Sequence, residues 1–246
     1  MKKIQKTKEY KEDVPVYPMR INKYLANKQV ATRRGVDKLI EKKKVFINGK
    51  LAVLGSKVNK DDIVEIKKNK NEEKIYMYYA YNKTKGVATE DIVSKVPFDT
   101  KTSGLFPIGR LDKNSHGLLI LTNDGRITDG LLNPKYSHEK EYIVKTKEKL
   151  RSNFKEKMEK GVNIEGYITK SCKVEIINDF IFKVILTEGK KHQIRRMCSA
   201  LFQEVEDLKR IRIMNIKLGD LKTNSSREIK GAELEEFLKP ILVEKN

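Results

Sequence analysis

Residues that could do chemistry gather first in FPIGRLDKNSHGLLILTNDG, residues 106–125. There Arg110, Asp112, Lys113, Asn114, Ser115 and His116 lie between Gly109 and Gly117, just ahead of an apolar strand. A loop pinned to a rigid scaffold is a common place for a functional site. A carboxylate on such a loop can act as a nucleophile, an electrostatic stabiliser or a proton acceptor. Taken alone, an aspartate between glycines more often caps or turns the chain, and that reading holds until a second observation displaces it. Two further clusters stand out. Lys140 and Tyr142 are two apart in an alternating strand over 139–146, so they project to the same side. Lys191 and Arg195 are four apart in a helix expected over 190–202 and share a face, while Ile194, Met197 and Leu201 take the core face.

What is missing narrows the chemistry. The chain has no GxxxxGK[ST] phosphate loop, no GxGxxG after a strand, no HExxH and no CxxC. Nucleotide hydrolysis, dinucleotide redox chemistry and zinc catalysis therefore lack machinery, and no glycine loop suits a methyl-donor cofactor. The two cysteines, Cys172 and Cys198, stand at no metal-ligand spacing, and the three histidines are scattered. The expectation is no metal and a reducing, cytoplasmic setting. No apolar run approaches the ~20 residues that cross a bilayer, and the basic start has no apolar stretch behind it to make a secretory signal.

The chain has 246 residues, 53 Lys+Arg and 34 Asp+Glu, a net charge of +19. Residues 1–70 hold 20 of those cations and 8 of the acids, so +12 of the excess sits in less than a third of the length. A lysine-rich surface explains a high count but not this asymmetry, which an appended polyanion-binding module does explain. A membrane-surface role would want a long basic amphipathic helix, and none is evident. Nucleic acid is the expected partner.

The elements that must position these residues fall in two groups. Residues 1–18 read as a mobile tail. Ile21, Tyr24 and Leu25 recur at helical spacing, and Thr32 is placed to cap a second helix, Arg33–Glu41, with Val36, Leu39 and Ile40 inward. Val45–Ile47 reads as a strand, Asn48-Gly49 as a hairpin turn, 51–53 as the return strand and 63–66 as a last strand. Arg33, Arg34 and Lys38 crowd the second helix. The apolar-free run KKNKNEEK makes a linker, set at 69–75 after a domain over 19–68. Beyond it, over 76–246, strands are expected near 75–81, within 117–125 (closed by an Asp-Gly turn), and near 139–146, 172–177, 180–187 and 205–218. Helices are expected over 127–132, 150–160, 190–202 and 232–238. Strands joined by turns more often than by helices predict an α+β fold with a mixed, largely antiparallel sheet flanked by helices.

MRINKYLANKQVATRRGVDKLIEKKKVFINGK resembles the S4-type RNA-binding domain, which implies a grip on structured RNA through the second helix and the strand after it. GRLDKNSHGLLILTNDG is similar to the catalytic signature of the S4-bearing rRNA pseudouridine synthases, a Gly-Arg-Leu-Asp run followed by a Leu-rich strand ending Thr-Asn-Asp-Gly. HEKEYIV resembles that family's Lys-x-Tyr motif and EGKKHQIRRMCSA its Gln-Ile-Arg-Arg-Met motif, all in family order. Within the family, Ser115, HEKEY, KSCKVE and RIRIMN look most like the branch that modifies uridine 2604 of 23S rRNA, near the peptidyl-transferase centre. His192 stands where an arginine is common.

The resemblance implies a cofactor-free isomerisation of uridine, with 23S rRNA or a ribosomal-subunit precursor as partner and a monomeric enzyme. It makes Asp112 the catalytic carboxylate, Arg195 its charge partner and Tyr142 the platform for the uracil. Arg110, Lys140 and Arg196, with Arg33, Arg34 and Lys38 in the N-terminal module, become substrate- or RNA-binding residues. Asp112 would attack or stabilise the reacting sugar, or take a proton from it, and must stay ionised under substrate, so it needs a cation beside it. Two competitors remain: the same chemistry at another rRNA or tRNA uridine, and a non-catalytic RNA-binding ribosome-assembly factor.

Overall fold

The computed structural model describes residues 16–28, 30–67, 75–94 and 104–242. The expected tail, except its last three residues, and the expected linker, except Ile75, lie outside the described residues. The chain divides into two compact units, Met1–Glu73 and Lys74–Asn246.

In the first unit, β1 (Met19–Arg20) leads into α1 (Ile21–Asn27) and α2 (Arg33–Glu41), followed by β2 (Val45–Ile47), β3 (Lys50–Leu51), β4 (Lys57–Val58) and β5 (Val64–Ile66). The Thr32 hydroxyl accepts the Gly35 N–H at 3.0 Å and so caps α2. Ile21, Leu25, Val36, Ile40, Val45 and Val58 form one core, which turns Arg33, Arg34 and Lys38 outward. Asn48 and Gly49 both take positive φ, as a two-residue hairpin turn requires. The return strand stops at Leu51, short of the expected 53, because the Val53 N–H turns to the Ser56 hydroxyl at 3.0 Å. The last strand starts at Val64 because the Ile63 N–H is taken by the Asn48 side chain at 2.8 Å. Pairing of β1 with β4 went unpredicted, since two-residue strands have no alternation to read.

The second unit contains β6 (Tyr78–Lys83), β7 (Phe106–Ile108), β8 (His116–Thr122), α3 (Ile127–Leu132), β9 (Lys140–Thr146), α4 (Phe154–Glu159), β10 (Asn163–Ile164) and β11 (Tyr167–Ile168). It continues with β12 (Lys173–Asn178), β13 (Ile181–Leu186), α5 (Gln193–Ala200), β14 (Val205–Ile213), β15 (Ile216–Lys217), β16 (Ser226–Glu228) and α6 (Gly231–Leu242). Nine strands make one sheet in the order β12-β13-β9-β14-β8-β6-β16, with β15 on β14 and β7 on β8. Its pairs are antiparallel except β14 with β8. The architecture is α+β with a mixed, largely antiparallel sheet.

The apolar run of β8 is continuous because both its faces are buried. Leu118 and Ile120 pack with Ile127, Leu131, Phe237 and Ile241, while Leu119 and Leu121 pack with Tyr81 and Ile92. A second core gathers Phe154, Phe182, Val184 and Met197. The Thr-Asn-Asp-Gly sequence closing β8 is a structural knot. Buried Asp124 receives the Tyr78 hydroxyl and a two-pronged guanidinium from Arg126 at 2.9 and 2.8 Å. Burial opposes its charge, but those hydrogen bonds hold its carboxyl below the usual range.

Three helices differ from their expected lengths. α4 starts at Phe154, not 150, and the Leu150 N–H instead reaches the Asp179 carbonyl at 2.7 Å. α5 spans only Gln193–Ala200, since His192 and Phe202 at its two ends take left-handed φ of 53° and 61°. α6 runs past its expected end through Pro240, which brings Ile241 into the core.

Gly117 is where β8 meets β14. Its φ is +101°, and a Cβ there would lie 2.3 Å from the Arg210 carbonyl oxygen. Gly117→Ala is expected to destabilise the fold by about 2 kcal/mol or more, from backbone strain and a clash that no side-chain rotation relieves. A denaturant titration reads this directly, and an unshifted midpoint would mean that the parallel pairing gives way freely.

Candidate active site

A cleft of about 710 Å³ is lined by the loop between β7 and β8, by Lys140 and Tyr142 of β9, by Leu208, Arg210 and Ile213 of β14, and by the segment ahead of α5. Tyr142 and Arg210 sit opposite each other in the β9–β14 register, and Lys140 lies two residues along on the Tyr142 side. Cross-strand pairing is what assembles this floor.

Asp112 enters the cleft from the loop, half-buried, between two clamped neighbours. On one side, the buried Thr89 hydroxyl donates to the Leu111 carbonyl at 2.8 Å and accepts the Leu111 N–H at 3.1 Å. On the other, Lys83 donates to the carbonyls of Ser115 at 2.6 Å, Thr84 at 2.9 Å and Lys113 at 3.3 Å. Lys83 is wholly buried. Burial pulls its ammonium down to about 8, opposed by the charge of Asp112 and aided by that of Arg210. Three carbonyl acceptors match the three protons of an ammonium, so the charged form suits the site at neutral pH. The Asp112 carboxylate lies 3.5 Å from His192 Nε2. The left-handed backbone at His192 brings that ring to the loop.

The residues singled out from the sequence divide. Asp112, Tyr142, Lys140 and Arg110 all line this cleft. Arg110 is exposed at its rim, 3.7 Å from Glu90. Arg195 does not pair with Asp112. Its guanidinium donates to the carbonyls of Val205 at 3.2 Å and Asn114 at 3.1 Å, and reaches the Ser115 hydroxyl at 3.5 Å, so it braces the loop from behind. The expected sharing of a face with Lys191 fails because α5 begins at Gln193, which leaves Lys191 off the helix. Arg196 also lies outside the cleft lining, ion-paired to Glu165 at 2.8 Å and donating to the Ile164 carbonyl. Arg33, Arg34 and Lys38 lie exposed on α2 of the first unit.

Sequence reasoning missed Lys83 and Arg210. Each is a charged residue at an inward position of a strand, Lys83 closing β6 after buried Tyr81 and Asn82, and Arg210 two after buried Leu208. That break in pattern was the available signal. Arg210 is 3% exposed, donates from Nε to the Leu118 carbonyl at 2.8 Å and from Nη1 to the Arg110 carbonyl at 3.5 Å. Lys140 donates to the His138 carbonyl at 3.1 Å, and burial, with Arg210 nearby, lowers it to about 8. Glu188, the buried acid on the far wall, is fully engaged by the Tyr167 hydroxyl, the Lys170 N–H and the Gln193 amide.

Known proteins resemble this chain over both of its units. Residues 77–200 match the family described as RNA pseudouridylate synthase, and residues 19–64 match the S4 domain. The chain is 37% identical over 235 residues to the dual-specificity RNA pseudouridine synthase RluF of Escherichia coli K12, covering 93% of this chain and 81% of that one. It is 34% identical over 228 residues to the ribosomal large subunit pseudouridine synthase B of Bacillus subtilis, covering 87% and 93%. A crystal structure of a pseudouridylate synthase superposes with a TM-score of 0.66 at 27% identity, covering 89% of this chain and 99% of that one.

Proposed function

We propose, from the premise that the chain belongs to the RNA pseudouridylate synthase family and carries an S4 domain, that it isomerises uridine 2604 of 23S rRNA to pseudouridine, with Asp112 as the catalytic carboxylate. The observation that carries this reading is the seating of Asp112. It stands between two clamped neighbours in the same cleft as Tyr142, on a loop whose sequence already matched the catalytic signature. The large-subunit name of the Bacillus relative supports an rRNA target.

In this reading the N1–C1′ bond breaks, the uracil turns, C5 joins C1′, and the C5 proton moves to N1. Every atom of the product comes from the substrate, so no redox or group-transfer cofactor is called for. Asp112 acts at the sugar, as carboxylates do at related glycosidic centres. Tyr142 stacks on the uracil once it has left its helix, and exposed Arg110, Lys113 and Lys191 at the rim meet phosphates. Arg195 positions the loop and touches no substrate. The S4 unit grips structured RNA through α2.

Site-resolved pseudouridine mapping of rRNA and tRNA, from cells with and without this gene, tests the reading. Loss of the 23S mark alone, restored by the wild-type gene, is the expected result. Loss of a different mark would move the target, and no change in any RNA would favour a non-catalytic assembly factor.

A further inference from the structure

Three cations, Lys83, Lys140 and Arg210, stand in or beside the cleft, with Asp112 as the carboxylate whose charge acts on Lys83. Lys83, Lys140 and Arg210 are each engaged by backbone carbonyls, and among the described residues none of them forms an ion pair with a carboxylate. Glu188 is already used by three donors. Arg210 Nη2 is buried and has no acceptor among the described residues. Burying cations beside one another is costly unless a negative charge arrives. The phosphates have the exposed rim cations to meet them, so buried Arg210 and half-buried Lys140 are left for the base. Lys140 shares the strand face of Tyr142, and both line the cleft.

Uracil is neutral in the substrate but not during the reaction. When N1–C1′ breaks, the bonding electron pair leaves with the base, and the uracil carries a negative charge over N1, O2 and O4. This holds whether Asp112 attacks C1′, stabilises the sugar cation or removes a sugar proton. Neutrality returns when C5 bonds C1′ and the C5 proton passes to N1.

We infer that Lys140, with Arg210 beneath it, holds the departing uracil as its anion and keeps it in the cleft while it turns. The inference rests on the pseudouridine synthase reading and adds a residue role to it. Two of the three Lys140 ammonium protons are not used by its bond to the His138 carbonyl, which leaves donors for a uracil oxygen. Donors fixed in a buried site stabilise a developing charge far more than a neutral ground state.

The test measures dissociation constant and single-turnover rate separately, on a 23S rRNA fragment containing uridine 2604, for the full chain. Lys140→Met is expected to slow the chemical step by about 10²-fold or more with RNA affinity little changed. Lys140→Arg, which keeps a cation, should recover a large part of the rate. Thermal melts of both variants guard against misfolding, and Lys140 is the better target because Arg210 also ties β14 to β8 through the Leu118 carbonyl. Weakened affinity at an unchanged rate would overturn the inference in favour of a phosphate contact, as would equal rates for Lys140→Met and wild type. Absence of wild-type turnover on every RNA would instead overturn the function itself.

Discussion

Asp112→Asn is expected to stop pseudouridine formation, lowering the single-turnover rate by at least about 10⁴-fold, the scale seen when a group on the reaction path is removed. RNA affinity should stay nearly unchanged or tighten slightly, because one negative charge leaves a cationic surface. The reasons are local. The clamps that hold the loop use the backbone of Leu111 and Lys113, and the turn uses the Asp112 carbonyl, which accepts the Ser115 N–H at 2.9 Å. The carboxylate itself faces His192 at 3.5 Å and makes none of these hydrogen bonds, while its charge favours the ammonium form of Lys83. An amide of the same shape therefore leaves the loop standing and removes only the charge. Turnover retained by this variant in single-turnover assays would take Asp112 out of the mechanism.

The second large effect concerns the first unit. Replacing Arg33, Arg34 and Lys38 together by alanine is expected to weaken RNA binding by roughly 10²-fold at low salt, and to reduce the slope of log affinity against log salt by about 2. All three side chains are exposed, while Val36 and Ile40 of the same helix are buried and the Thr32 cap is untouched. Alanine favours helix, so α2 should persist. At saturating RNA the chemical step should proceed at the wild-type rate. An unchanged salt slope would show that α2 is not the grip.

Much of the fold could be read from local pattern. α2 was legible to the residue because its cap, apolar stripe and charged face agree. β8 was legible because a strand buried on both faces is a continuous apolar run bounded by glycine and an Asp-Gly turn. The errors fell at ends, where one backbone N–H found a distant partner, as at Leu150, or a residue took left-handed φ, as at His192. The same boundary decided the site. With α5 starting three residues later than expected, the helix phase that made Arg195 a neighbour of Lys191 no longer applied.

The sequence by itself determined the modules, their order, the basic bias of the first, and the loop and strand that bring Asp112 and Tyr142 to the cleft. Each of these is written in short-range terms: spacing, capping, turn residues, and a long match to a known motif. Only the tertiary structure decided which charges stand together. Lys83, Lys140 and Arg210 come from three strands separated by up to 127 residues in the chain, and the register of strand pairing brings Lys140 and Arg210 into one cleft with Asp112, with Lys83 within range of the charges of Asp112 and Arg210. Local spacing carries no record of such register, because it is set by which strands pair and by the close approach that Gly117 permits at the β8–β14 junction.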